Sequence, residues 1–340
     1  MNIGKIAFAK PCMAGVVESL DKGIAAEPPT LFRALLEKYG VNTTIIVSGT
    51  DEGGEIVSSE DRAGEEVVDL YYSEDGDPTR GFASQHSTLY VNHKVTEATF
   101  EACGTQVRVN QTPEHLRHKG VTGCVVWNGA VVLGAALEHW CTNGTITLAK
   151  TRVLELGAGS GLLAVTMGLL GAYVVTTEQV ERLALLSQNV AKNASPHPSN
   201  QRRLKEKGRL SSFQESVYSF QSGGELRVRE LDWFDVATYQ DPDIDPREGF
   251  DVVVATDVIY NEEVTVQFVS ALATICSQGS DSMIPAIITL ELRTQEIHLV
   301  FIERLLSERA TLWRLPQTAM AGDAHAAIIV TYLVAFAEKP

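Results

Sequence analysis

Residues 153–161 read VLELGAGSG, and a second carboxylate, Glu178, closes the run YVVTTE. Val153, Leu154 and Leu156 form an apolar run of the length expected for a buried parallel strand. Gly157, Gly159 and Gly161, with Ala158 between the first two, permit a sharp turn and leave bare backbone against which a ligand can lie. Glu178, with Gln179 beside it, stands at the end of the next strand, where a carboxylate accepts hydrogen bonds from a ribose diol. A nucleoside-bearing ligand is therefore expected across the carboxyl ends of these two strands.

The glycine spacing narrows the ligand. A dinucleotide fingerprint, G-x-G-x-x-G, would need its third glycine at Leu162, so a nicotinamide oxidoreductase is disfavoured. Glu155, two residues before the first glycine, would repel a pyrophosphate seated on a helix N-terminus but suits a cationic sulfonium with an amino-acid tail. The acid-x-G-x-G-x-G pattern resembles motif I of the class I S-adenosylmethionine (AdoMet) methyltransferases. An ordinary glycine-rich strand–helix turn is the plain alternative, and Glu178 at the right distance counts against it.

The elements around this turn follow an α/β rhythm. A strand at 152–156 leads to a helix near 161–170, and a strand at 172–177 to a helix over about 180–193. Further strands are expected at 225–233, 250–257 and 285–292, helices at 262–276 and 295–309, and two last strands in TLWRLP and AIIVTYLVAF. VVVA within FDVVVATD is wholly apolar, as a strand covered on both faces should be. The alternation predicts a doubly wound, Rossmann-like sheet of seven mostly parallel strands. Upstream, PPTLFRALLEKYG predicts a helix ending near Gly40, and TTIIVSG a strand. TLYVNHKV and TQVRVNQ predict a β-hairpin around ACG, and Asn128 is a candidate cap for a helix stopped by Gly144. Residues 1–85 read as an extension, acid-rich over 51–77, and 86–340 as the main domain. Residues 195–224, with Arg202, Arg203, Lys205, Lys207 and Arg209, interrupt the rhythm as a linker or a substrate-contacting lid.

Composition removes other classes. Of 340 residues 44% are apolar and 21% charged, and the net charge of −15 disfavours general binding to nucleic acid or an anionic membrane while attracting basic protein surfaces. The uncharged stretch 156–177 contains the glycine turn and a β-branched run, so a loop, helix and strand explain it better than a membrane span. No signal peptide or transit peptide is read at the N-terminus. Five cysteines without a CxxC fit a reducing compartment and no structural zinc. No metal site is expected.

Taken in order, Trp127 ahead of a helix, the motif I turn, Leu231-Asp232-Trp233, Asp257-Val258-Ile259-Tyr260 and Glu291-Leu292-Arg293 resemble the methyltransferase-like family 21 type of protein-lysine methyltransferases. The likeness covers roughly residues 88–336 and leaves out the first 85 and the 195–224 insertion. GCVVW and IYNEE look closest to the branch acting on valosin-containing protein. One departure is conservative, since Glu178 stands where the family usually carries aspartate.

The resemblance implies AdoMet as cofactor and a lysine on a folded protein as acceptor, an AAA-type ATPase or another chaperone-like machine. It implies a cofactor set of Trp127, Glu155, Gly157, Ala158, Gly159, Gly161, Glu178, Gln179, Trp233 and Thr256. Trp233 would take the adenine, Trp127 the other side of the pocket, Glu178 the ribose, and Glu155 the backbone or the cationic tail. Asp257 and Tyr260 would form the acceptor side as catalytic residues, although Asp257 could equally cap the helix that follows it. Trp140 and Trp313 read as core. A monomer is expected, in the cytoplasm with the nucleus as alternative. A different acceptor (histidine, arginine or a small amine) and a catalytically silent adaptor of the same fold stay open at this stage.

Overall fold

In the computed structural model the described residues are 29–41, 43–45, 49–50, 56–57, 91–117, 122–196, 217–236, 244, 249–279, 283–320 and 328–337. The acid-rich run 51–77, apart from 56–57, and the basic run 202–209 lie outside them.

Ten strands form one sheet. In chain order they are β1 (Thr43–Ile45), β6 (Arg152–Leu156), β7 (Tyr173–Glu178), β8 (Ser195–Pro196), β9 (Val217–Ser219), β10 (Glu225–Glu230), β11 (Val252–Thr256), β12 (Ala286–Glu291), β13 (Ala310–Arg314) and β14 (Ile329–Phe336). A two-stranded ribbon, β2 (Gly49–Thr50) and β3 (Ile56–Val57), and a hairpin, β4 (Glu97–Ala102) and β5 (Thr105–Asn110), stand apart from it. The spatial order is β1-β13-β14-β12-β11-β6-β7-β10-β9-β8. β10, β7, β6, β11 and β12 run parallel, and β14 pairs antiparallel with both β12 and β13. The seven expected strands are all there. β1 falls within the strand expected in TTIIVSG and lengthens one edge; two short strands that were not foreseen, β9 and β8, lengthen the other by antiparallel pairing. The chain leaves β6 towards β7 and later returns on its other side as β11, so the strand order reverses at β6 and a crevice opens beyond its carboxyl end.

Side chains alternate between two cores. Val153, Val174, Val252 and Val254 face one cluster; Leu154, Leu156, Val175, Val253 and Ala255 face the other. The first is covered by α1 (Thr30–Tyr39), α2 (Asn128–Thr142), α3 (Leu162–Leu169) and α4 (Leu183–Asn193), the second by α5 (Glu262–Cys276) and α6 (Gln295–Ser307). Phe32 and Leu35 of α1 are buried in the first core, so this part of the N-terminal segment packs with the sheet. Gly40, at φ 73°, ends α1 as expected. No helix among the described residues is long and apolar enough to cross a membrane.

Several local expectations are corrected. The first hairpin arm is EATFEA rather than TLYVNHKV, because the turn is the two-residue Cys103-Gly104, at φ 53° and 67°, which fixes the partner register from Ala102–Thr105 outward. β10 stops at Glu230, short of Asp232 and Trp233, which lie in the loop beyond it. Asn128 does not cap α2. It is the first helical residue, and its buried amide donates to Glu291 at 3.0 Å. The ends of the 195–224 insertion are ordered as β8, β9 and the Phe220–Gly224 turn, leaving 197–216 outside the described residues.

Trp140 and Trp313 are core residues, as read from the sequence. The Trp140 indole also donates to the Ala319 carbonyl at 2.6 Å, joining α2 to the segment between β13 and β14. Trp140→Phe should cost about 1–3 kcal/mol in urea unfolding, since it leaves a buried carbonyl without its donor. An unchanged midpoint would show that this bond contributes nothing.

Candidate functional site

A cleft of about 660 Å³ lies at the carboxyl ends of β6, β7, β10 and β11. Gly157 and Gly159 line it, with Glu178 and Gln179 from the end of β7 and Trp233 from the loop after β10. Thr256 ends β11, and Asp257 and Tyr260 follow it on the same wall; Trp127, ahead of α2, lines it too. Nine of the twelve residues singled out in the sequence therefore meet here. Gly157 has φ 71°, and a Cβ there would come within 2.9 Å of the Trp233 ring, so a side chain would displace the indole. Trp233 is braced edge-to-face by Phe268 of α5, with ring centroids 5.1 Å apart.

Three candidates do not line the cleft. Gly161, at φ 88°, is the N-terminal boundary of α3, and Ala158 packs against the first core. Glu155 is 2% exposed and pairs in register with Thr176 across β6 and β7. Its Oε2 accepts from the Thr176 hydroxyl at 2.6 Å. The pleat sends position 155 to the α2–α3 face with Val153, so the acid sits beneath the turn instead of beside the ligand. Burial pushes its carboxyl up to about 7; the Thr176 hydroxyl opposes the shift and the charge of Glu178 adds to it.

Glu178 holds the turn. Its Oε2 accepts from the Gly159 N–H at 2.8 Å and its Oε1 from the Gln179 N–H at 2.9 Å. Burial raises its carboxyl above the usual range against these two bonds.

A strap crosses the turn. A Cβ on Gly123 would meet Arg182 at 2.6 Å and Glu178 at 3.3 Å, and one on Gly159 would meet Gly123 at 3.5 Å. Thr122, Gly123 and Arg182 line the cleft and were not read as site residues in the sequence, although Gly123 opens the GCVVW stretch that carries part of the family likeness. The strap is anchored twice. Gln111 donates to the carbonyls of Asn92 and Val95 and accepts from the Val126 N–H at 3.0 Å. Asn189 of α4 is fully buried, accepts from the Asn110 N–H at 2.8 Å, and donates to the carbonyls of Asn110 and Ser160. This one amide joins hairpin, helix and glycine turn.

Asp257 shapes the opposite wall. It adopts φ 53°, a left-handed conformation that Asp tolerates better than most residues. Its Oδ2 accepts from the Gly129 N–H at 2.6 Å and its Oδ1 from the Glu291 N–H at 2.8 Å. It therefore caps the N-terminus of α2, not the helix that follows. That helix, α5, is capped by Asn261, whose side chain accepts from the Val264 N–H at 2.9 Å. Burial lifts the Asp257 carboxyl, with the Arg293 charge the largest opposing influence.

Beside this clamp, Trp127 donates its indole N–H to Thr122 at 2.9 Å. The His93 ring meets it edge-on, with centroids 4.9 Å apart, and Arg293 lies 4.3 Å over its face. Glu291, at the end of β12, accepts from Asn128 and pairs with Arg293 at 3.4 Å.

Residues 114–207 match a family described as lysine methyltransferase. The mouse (Mus musculus) protein N-lysine methyltransferase METTL21A is 30% identical over 54% of this chain and 67% of its own length. The chain belongs to the METTL21-type protein-lysine methyltransferase family. The zebrafish (Danio rerio) METTL21A is 32% identical over 49% of this chain and 60% of its own length. Mouse EEF2KMT, a protein-lysine N-methyltransferase, is 25% identical over 68% of this chain and 63% of its own. Among solved structures, the glycopeptide N-methyltransferase MtfA complexed with AdoMet is 13% identical over 59% of this chain and 86% of that one, with a TM-score of 0.36. The cleft suits AdoMet, offering side-chain-free backbone at Gly157 and Gly159, an aromatic plane at Trp233 and a carboxylate at Glu178.

Two outcomes follow for this family member. Between an ordinary carboxylate value of 4.5 and about 7, the folded chain keeps a proton on Glu155 that the unfolded chain releases, so stability falls as pH rises through that window. The loss is on the order of 3 kcal/mol and complete above the window. Glu155→Gln keeps an acceptor for Thr176 and should unfold at higher urea than the parent at about pH 8 but not at about pH 4. The same difference at both pH values would remove the ionisation argument. Asn189→Ala should destabilise by about 2–4 kcal/mol and weaken AdoMet binding in calorimetry by roughly tenfold, since it frees the hairpin and the glycine turn together. Full affinity in a well-folded variant would show that the strap does not depend on this anchor.

Proposed function

We propose that the chain transfers a methyl group from AdoMet to the ε-amine of a lysine on a folded protein. The acceptor class we favour, by sequence resemblance, is an AAA-type ATPase or another chaperone-like machine. One observation supports the reading above others: the cleft has two chemically different sides. Glu178 ends β7 on one side of the glycine turn, Asp257 and Tyr260 follow β11 on the other, and the Trp233 ring lies over Gly157 between them.

AdoMet supplies a methyl carbon made electrophilic by its sulfonium. In our reading Trp233, kept in place by Phe268, packs on the adenine, and Glu178 takes the ribose hydroxyls with one carboxylate edge while bonding the backbone with the other. Gly157 and Gly159 leave room for the nucleoside, and Trp127 and the Gly123 strap cover it.

A lysine must arrive as a cation and react as an amine, because its pKa near 10.4 leaves almost no free lone pair at neutral pH. Asp257 attracts the ammonium. Two of the roughly four lone-pair sites on its carboxylate are taken by the Gly129 and Glu291 N–H groups, so capacity remains for an amine N–H. Tyr260 supplies an aromatic wall with a polar tip, which confines the amine and favours its neutral form. Alignment of amine and methyl group accounts for much of the acceleration, about 7 kcal/mol or more. We place the protein in a reducing, cytoplasmic setting; the four described cysteines are free thiols.

Incubation with labelled AdoMet and a cell extract, followed by mapping of the label, tests the acceptor. Label on lysine is expected; label on histidine, arginine or a small molecule would overturn the proposal. Tyr260→Ala should lower kcat at least roughly tenfold while AdoMet affinity stays within a few-fold. Parallel loss of affinity and rate would move Tyr260 to the cofactor side.

A further inference from the structure

A second groove adjoins the cofactor cleft and meets it at Tyr260. It encloses about 480 Å³ between the loop after β11 and the start of α6. Its walls are apolar at Ile259, Leu292 and Ile297 and polar at Tyr260, Glu291, Arg293 and Thr294. No step described so far uses it.

Arg293 gives this groove its chemistry. Its guanidinium is pinned over Trp127 at 4.3 Å, and its one hydrogen bond among the described residues is the long contact to Glu291 at 3.4 Å. A guanidinium carries five N–H donors in a planar fork, so most of this fork is uncommitted, and 26% of the side chain reaches solvent. Surface arginines usually swing freely; this one is held on an indole at the wall of a groove, so little freedom is lost when it binds an acceptor. The partner it matches best is a carboxylate, taken two-pronged. The Glu291 carboxylate lines the same groove, but it is 3% exposed and also holds Asn128, so it braces Arg293 and leaves little of itself open to an incoming chain.

We propose that this groove binds the substrate segment next to the methylated lysine, and that Arg293 selects an Asp or Glu beside that lysine. The proposal rests on the lysine reading above and adds a sequence preference to it. The Asp257 carboxylate and the Arg293 guanidinium, on adjoining walls, match a cation and an anion spaced along one chain. The Arg293 charge lies near enough to act on the Asp257 carboxyl, and an extended chain advances about 3.3–3.6 Å per residue, so the acid should fall within about three positions of the lysine. A cation fixed near the amine also favours its neutral, reactive form.

The full-length enzyme, labelled AdoMet and an extract from cells lacking the enzyme form the test, with mass spectrometry locating the label. The expected site is a lysine with Asp or Glu within about three residues. Using the protein so identified as substrate, Arg293→Glu and Thr294→Glu should each raise KM about tenfold or more, with AdoMet affinity within a few-fold in calorimetry. Thr294 is exposed on the same groove, so its variant adds negative charge there while leaving the Arg293 side chain in place; unfolding in urea at the parent's midpoint excludes a folding defect. Reversing the neighbouring acid of the substrate to Lys should lower turnover on the native enzyme and restore it on Arg293→Glu. A labelled lysine without an acidic neighbour, or an unchanged KM in both variants, overturns the proposal and leaves the lysine reading intact. Label on another residue type, or none despite AdoMet binding, overturns both.

Discussion

Two backbone N–H groups, of Gly129 in the first turn of α2 and of Glu291 at the end of β12, converge on the carboxylate of Asp257. Neither has an ordinary partner within reach. The first turn of a helix has no preceding carbonyls, and β11 stops pairing with β12 at Thr256. A single carboxylate at φ 53° satisfies both, and in doing so fixes helix, strand and loop against each other. Trp127 precedes that helix turn, Glu291 and Arg293 continue from that strand, and Tyr260 follows that loop, so the acceptor-side wall takes its shape from this clamp.

The cofactor side has a matching device. Glu178 bonds the Gly159 and Gln179 N–H groups while presenting its carboxylate to the cleft. Asn189 then ties the glycine turn to the front hairpin. Both acids are kept in poorly solvated surroundings by backbone donors, and burial raises both carboxyls. Such an acid is already desolvated and oriented before a ligand arrives, so little reorganisation accompanies binding. The groove beyond Tyr260 repeats the principle with opposite charge, since Arg293 is pre-oriented by an indole face and a buried acid.

The sheet itself was legible where the pattern was local. Predominantly apolar runs at 153–156, 252–255 and 286–290, broken only by Glu155 and Thr289, announced central strands, because strands covered on both faces lack regular polar alternation. Three readings turned on one cause. Asn128 was read as a cap, Asp257 as an acceptor-side acid that could equally cap its own neighbouring helix, and Glu155 as a partner of the backbone or of the cationic tail, because each was judged by sequence neighbours. Asn128 and Asp257 instead answer to residues on distant elements, and Glu155 to a register partner on the next strand. Gln111 and Asn189 gave no signal at all, and Gly123 was seen only as the start of GCVVW, since a small residue and two amides are common in loops and helices and acquire their role only from what crosses them.

By itself, the sequence determined the order of elements, the glycine turn with its following acid, and the set of residue types that reach the cleft. These depend on periodicity and on short spacings, which act within a few residues of the chain. Tertiary structure alone decided that Glu155 lies under the turn, that Asp257 closes α2, that a strap covers Gly159, and that Arg293 stacks on Trp127 beside a second groove. Those outcomes depend on which backbone groups the strand ends leave unpaired. That is settled only when β6, β11 and β12 lie side by side and α2 lands against them.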